Sequence, residues 1–299
     1  MTAEANKQKG IAVPGRVVFL DGQGEMPMLE ISTAWSTAEI YLHGAHVTQF
    51  RKKGEPPLLF MSQCARFAEG QPIRGGVPVI FPWFGAREGM GAHGFVRQKA
   101  WELKEFAPAA DGSVSVRFRF PDYPEAATYP AFGLEYVVTV NEELTLELIV
   151  TNRSATEPFP FENCLHTYFA VGDIGAVEVT GLKGAAYLDN TANLARKTEA
   201  AEAIHVASEV DRVYLDTPAT VEIRDAKLGR VIRIEKENSA STVVWNPWIA
   251  KSQQMPDFGN EEYHQMICVE SGNVKSNQLT LPPGRSASLK VRYTTAPLL

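Results

Sequence analysis

A histidine and a glutamate in strand-like surroundings are the residues of this chain best suited to moving protons. The segment Glu162-Asn-Cys-Leu-His-Thr-Tyr-Phe169, read as a strand, puts Glu162, Cys164, His166 and Tyr168 on one face. A polar and aromatic row of this kind suits a cavity wall better than an aliphatic core. His166 titrates near neutrality when unperturbed, which makes it a candidate proton donor; the alternative is a core histidine satisfied by backbone. Further on, Met266-Ile-Cys-Val-Glu-Ser-Gly-Asn273 places Met266, Cys268 and Glu270 on one face of a strongly apolar strand. A glutamate there is paired, protonated or functional, because an ionised carboxylate is almost never buried alone. Desolvation would raise its pKa and make it a better base.

Two further segments carry cations and rings. Residues 71–85 hold three prolines, three glycines, the aromatics Phe81, Trp83 and Phe84, and Arg74. Proline lacks a ladder donor, so this run is a rigid loop and not a central strand. Arg74 either binds a phosphate or carboxylate through paired hydrogen bonds or pairs with a neighbouring acid. In His93-Gly-Phe-Val-Arg97, beside Gly85, Gly89 and Gly91, a histidine and an arginine four apart could bracket an oxygen-rich ligand. Trp245 and Trp248 offer ring faces to a sugar or to the core. His43 and His46 are three apart, so on a strand they point to opposite faces, and no carboxylate at a metal-ligand offset accompanies them. His264 would share a strand face with Glu270 but lie too far along it to pair.

The elements that must position these groups are strands. Apolar and polar residues alternate through 114–120, 144–150 and 289–293, with shorter β runs at 16–20, 39–42, 177–179, 221–223, 231–234 and 242–245. Turn pairs such as Asp21-Gly22, Asp111-Gly112 and Pro283-Gly284 punctuate them. Helical periodicity is scarce; 194–204 has helix formers with an alanine stripe and reads as a loop or short helix. The pattern predicts an all-β protein, a large antiparallel β-sandwich. With no repeat and no linker to split it, residues 11–299 read as one domain after a flexible tail over 1–10.

Composition bounds the function. Lys and Arg number 29 against 35 Asp and Glu, a formal net charge of −6, which excludes binding nucleic acid by bulk charge. Three well-separated cysteines, Cys64, Cys164 and Cys268, have neither zinc-clip nor disulfide spacing and read as reduced, buried packing residues. The polar first ten residues and the lack of a membrane-length apolar run predict a cytoplasmic protein without membrane contact.

Taken together, the stretches Pro72-Ile-Arg-Gly-Gly-Val-Pro78, His93-Gly-Phe-Val-Arg97, His166-Thr-Tyr-Phe169, Asp211-Arg-Val-Tyr214, Val244-Trp-Asn-Pro-Trp248 and Cys268-Val-Glu-Ser-Gly272 resemble, in order, the hexose-6-phosphate mutarotase branch of the aldose 1-epimerase family. The resemblance implies a sandwich of galactose-mutarotase type with a sugar cleft on one sheet, and interconversion of the α and β anomers of a hexose 6-phosphate without a cofactor or metal. It implies His166 as general acid and Glu270 as general base. It also implies Arg74 and Arg97 on the 6-phosphate, and His93 and Asp211 on ring and hydroxyl oxygens. Similar proteins act as monomers. Val210, where a threonine is usual, and Ala92 depart from the pattern without removing a reacting group. Two rivals are a glycoside hydrolase, which needs two carboxylates at the scissile bond where only Glu270 stands out, and a non-catalytic sugar-binding sandwich, which has no use for an acid–base pair.

Overall fold

Strict alternation along the chain is reproduced as strand pairing throughout the computed structural model, which describes residues 17–299. Nine strands form the larger sheet, in the spatial order Ala203–Ile204, Val177–Thr180, Val221–Asp225, Arg230–Glu237, Ser286–Pro297, Leu144–Asn152, Phe132–Val140, Val114–Arg119 and Glu102–Pro108. The smaller sheet, which carries the site, runs Ala195–Thr198, Ala186–Asp189, Val210–Leu215, Ser241–Asn246, Met266–Asn273, Asn163–Leu165 and Val79–Ile80, with Tyr168–Ala170 also paired to Met266–Asn273. A four-stranded meander over Val17–Asp21, Pro27–Ser32, Ser36–Tyr41 and His46–Lys52 completes the chain's opening part. All the strand ladders cited here are antiparallel.

The two large sheets face each other across one apolar core containing Val116, Phe118, Tyr136, Leu146 and Val291 from one side and Tyr214, Val244, Ile267 and Val269 from the other. Thr167 hydrogen-bonds the Tyr293 hydroxyl at 2.6 Å, and the Phe169 ring meets Tyr293 edge-on at 5.2 Å. Because side chains alternate, this fixes which face of the smaller sheet looks inward, and it sends His166 and Tyr168 to the opposite face. Register extends that outer face into rows: Tyr168 lies opposite Cys268, Cys268 opposite Trp245, and Trp245 opposite Asp211. Glu270 stands two residues beyond Cys268 on the same face. A small second core of Ile80, Phe84, Cys164, Val213, Leu215, Val243 and Val274 covers part of this face, so the carboxylate and imidazole sit against apolar neighbours.

Several expectations change. Residues 194–204 form no helix: Ala195–Thr198 is an edge strand on Ala186–Asp189 and Ala203–Ile204 pairs with Val177–Thr180. Sheet-edge hydrogen bonding outweighs the small helix propensities of alanine and lysine there. His264 belongs to the 3-10 turn Glu262–Gln265, ahead of the strand. Cys64 is exposed, while Cys164 and Cys268 are buried as expected. The predicted tail over residues 1–10, and Arg16, lie outside the described residues. Among the described residues no helix is long and apolar enough to cross a membrane.

Candidate active site

The break between Asn163–Leu165 and Tyr168–Ala170 is where the imidazole emerges. His166 Nε2 lies 3.3 Å from Glu270 Oε1, with His166 7% exposed and Glu270 1% exposed. The two groups that strand parity placed on separate segments thus meet on the outer face of the smaller sheet. The His166 ring stacks on Tyr168 at 4.8 Å and meets Trp245 edge-on at 6.2 Å. Cys164 Sγ donates to Glu270 Oε2 at 3.4 Å, a partner for the carboxylate that comes from the segment carrying His166.

Burial pushes the Glu270 carboxyl well above the usual range, and the negative charge of Asp211 pushes it the same way; the Cys164 hydrogen bond and the Arg97 charge oppose this. Burial drives His166 well below its usual pKa, assisted by His93, Arg97 and Arg74. Both shifts favour the uncharged forms, a neutral imidazole beside a protonated carboxyl, with one proton for the pair to share. An imidazolium at His166 has to form against this effect of burial.

Arg74 follows the second reading of its loop and pairs with an acid. Its Nε and Nη2 reach the Asp257 carboxylate at 3.1–3.3 Å, and Nη1 donates to the Tyr168 hydroxyl at 2.9 Å. Tyr168 and Asp257 hold it well above the ordinary range against the opposing effect of burial. Asp257, in the turn after the short helix Trp248–Ser252, had no sequence signal beyond its place in Met255-Pro-Asp-Phe-Gly259. The loop carrying Arg74 is braced from below by the two histidines that showed no metal spacing: His43 Nε2 contacts the Gln71 carbonyl at 2.7 Å and His46 Nε2 the Gly75 carbonyl at 2.8 Å. Gly76, at φ +58°, has no room for a side chain, since a Cβ would stand 2.3 Å from the Val47 carbonyl oxygen.

Arg97 is the less committed cation. Nη2 donates to the Ala92 carbonyl at 3.0 Å, while Nε is buried without a protein partner. Burial, with Arg74 adding to it, lowers its pKa to about 10. His93 is held at φ +66°. Its Nδ1 accepts from the Gly85 N–H at 3.3 Å, which leaves the proton on Nε2. Burial and the charges of Arg97, Arg74 and Lys275 bring it to about 3, so it is a neutral donor 5.5 Å, ring to ring, from His166. Asp211 accepts from Asn190 Nδ2 at 2.6 Å, and burial raises its pKa. The structure therefore gathers His93, Arg97, His166, Asp211 and Glu270 with Arg74 on one face, and adds Asp257, Tyr168 and Cys164, which sequence reasoning did not assign.

His166, Cys268 and Glu270 also offer donor atoms within 4.8 Å of one another, a mixed N, S and O set of the kind zinc accepts. The positive charges of Arg97 and Arg74 act on this same space, and they favour an anionic occupant over a dication. The arrangement can hold an anionic, oxygen-rich molecule beside a carboxyl and an imidazole that exchange a proton.

The family model described as aldose 1-epimerase matches residues 27–294. A protein of the grass Cenchrus ciliaris, provisionally named a glucose-6-phosphate 1-epimerase, is 35% identical over 270 residues, 87% of this chain and 82% of that one. One of Escherichia coli with the same provisional name is 32% identical over 257 residues, 85% of each chain. A solved structure from Salmonella typhimurium, provisionally called a mutarotase, superposes with a TM-score of 0.87 at 27% identity, covering 94% of both chains. A galactose mutarotase-like structure from Clostridium acetobutylicum reaches 0.70 at 18% identity over 94% of this chain and 98% of that one, a likeness of fold. With the model spanning nearly the whole described region, this chain belongs to the aldose 1-epimerase family.

Proposed function

We propose that the protein interconverts the α and β anomers of a hexose 6-phosphate, glucose 6-phosphate being the sugar that its relatives' names point to. The observation that carries this reading is the 3.3 Å approach of His166 Nε2 to Glu270 Oε1 within the positive field of the half-buried Arg97 and Arg74. The ring oxygen and the hydroxyl oxygen of an anomeric carbon share that carbon, so two proton-transfer groups must stand side by side to serve both.

Opening takes the proton from the C1 hydroxyl to Glu270 and delivers one from His166 to the ring oxygen. Rotation about C1–C2 presents the other carbonyl face. On closure His166 takes the proton back from the C5 hydroxyl and Glu270 returns one to the carbonyl oxygen, so the pair ends as it began. Each positioned transfer contributes about 10²–10⁴-fold. His166 must be charged for the first step, and the substrate itself helps. Burial is the main obstacle, and a phosphate dianion beside Arg97 and Arg74 offsets the part of it that their positive field adds, which makes the imidazolium easier to form. Neutral His93 donates Nε2–H to a sugar oxygen, and Asp211 accepts from a hydroxyl.

Arg97, with its unpartnered Nε, is the phosphate anchor, while Arg74, tied to Asp257, contributes its charge and shapes the wall. These contacts hold a group that does not react, and so orient the sugar while C1 turns. Among the described residues, the carboxylate whose charge acts on Glu270 is Asp211, and it is already held by Asn190 Nδ2, which favours this reading over glycoside cleavage. A charged sugar phosphate as substrate fits a cytoplasmic enzyme, and the family resemblance implies that it acts as a monomer.

Saturation-transfer NMR of anomer exchange tests the reading. We expect added protein to accelerate exchange of glucose 6-phosphate well beyond that of free glucose at equal concentration. Binding of the sugar phosphate with no acceleration would instead favour a non-catalytic sugar-binding protein.

A further inference from the structure

We propose that Lys275 completes the anion subsite, its ammonium taking the substrate's phosphate together with Arg97; this rests on the hexose-phosphate reading above. Charge accounting opens the argument. A phosphate monoester carries close to two negative charges at neutral pH. Arg74 is already committed to the Asp257 carboxylate, so Arg97 alone would leave a buried excess of negative charge, which is costly. A second uncommitted cation is required within reach.

Lys275 meets that requirement. Its Nζ makes no ion pair with any carboxylate among the described residues; it stands 5.9 Å from the centre of the Phe84 ring and 3.6 Å from where a Cβ on Gly85 would lie. Phe84 in turn packs edge-on against the His93 ring at 4.9 Å, and the Gly85 N–H holds His93 Nδ1. The ammonium therefore stands on the Gly85 side of His93, while His166 lies 5.5 Å from His93, ring to ring. Four bonds separate a hexose ring oxygen from its 6-phosphorus, a span of that order. With the ring oxygen at His166, the phosphate reaches the neighbourhood of His93, where Arg97 and Lys275 both act.

The backbone around Lys275 is arranged to put it there. Lys275 adopts φ +58°, the left-handed region that a long side chain seldom occupies. Its N–H donates to Glu162 Oε1 at 2.6 Å, and the other oxygen of the same carboxylate accepts the Phe84 N–H at 2.8 Å. One buried-side acid thus latches the turn that bears the lysine to the loop that bears Phe84 and Gly85. Left-handed strain at a residue whose ammonium has the Phe84 ring beside it but no carboxylate to pair with among the described residues points to ligand binding.

The test uses the full chain with Lys275→Asn, chosen because asparagine tolerates the left-handed backbone, and Lys275→Arg as the charge-keeping control. For Lys275→Asn we expect KM for glucose 6-phosphate to rise about tenfold with kcat nearly kept, the effect of losing one charge-assisted contact. Exchange of free glucose should stay within about twofold, and Lys275→Arg should restore most of the KM. Inorganic phosphate, used as an inhibitor of free-glucose exchange, should lose about tenfold in potency against the asparagine variant. A wild-type preference for the phosphorylated sugar that survives intact in Lys275→Asn overturns the role of Lys275 while leaving the proposed reaction standing. A wild-type protein indifferent to the phosphate overturns the hexose-phosphate reading and this subsite with it.

Discussion

At the scale of single residues, the site is a problem of one proton and two buried groups. Burial raises Glu270 and lowers His166, so each group's preference opposes the charged form it needs in catalysis. The pair with one proton is competent, since that proton can sit on either partner. Activity should therefore fall at high pH, where Glu270 loses the proton and nothing remains to protonate the ring oxygen. Asp211 sets where that limb lies: its negative charge raises Glu270. Asp211→Asn removes the charge, so Glu270 should release its proton at lower pH, and the alkaline limb of the kcat/KM profile should move downward. A profile unmoved by this substitution would separate Asp211 from the proton balance. The directions also assign Cys164 a task, since its thiol donates to the Glu270 carboxylate and favours the ionised form.

At the scale of elements, loops 71–85 and 91–98 carry the cations and must be pressed close to the sheet to serve them. Gly94 shows how close: at φ +67°, a Cβ there would meet the Phe81 carbonyl oxygen at 1.8 Å. Gly94→Ala combines left-handed strain with overpacking against backbone that cannot swing away, and should cost roughly 2–4 kcal/mol of stability, read as a lowered urea midpoint at unchanged slope. A midpoint within error of wild type would mean that the contact between residues 81 and 94 can relax freely. This packing explains what was legible in the sequence. The period-two runs gave the strands, and parity put His166 and Glu270 on defined faces, because alternation is a local property of the chain. Asp257 as the partner of Arg74, Glu162 as a latch and His43 and His46 as braces of a loop were not legible. Each depends on contacts between segments far apart in the chain, and nothing local to those residues encodes them. The strand at Ala195–Thr198 was missed for the same reason, since its pairing partner and not its own propensity decides it.

At the scale of the whole molecule, a net charge of −6 contrasts with the positive field of Arg97 and Arg74 at the acid–base pair, so an anionic substrate would be recognised by local chemistry and not by the protein's overall field. The two large sheets share one core, and the smaller sheet gives its inner face to that core and its outer face to the acid–base pair. This division of faces is what brings an imidazole from a broken strand against a carboxyl from its neighbour. The most direct measurement of whether they work as a unit is glucose 6-phosphate anomer exchange by NMR for Glu270→Gln, His166→Gln and the double variant, each checked for a wild-type circular dichroism spectrum. Each single variant should lose at least about 10²-fold in kcat, and the double should lose little more than the worse single, as groups acting in one step do. Either single variant retaining wild-type exchange while folded would contradict the account.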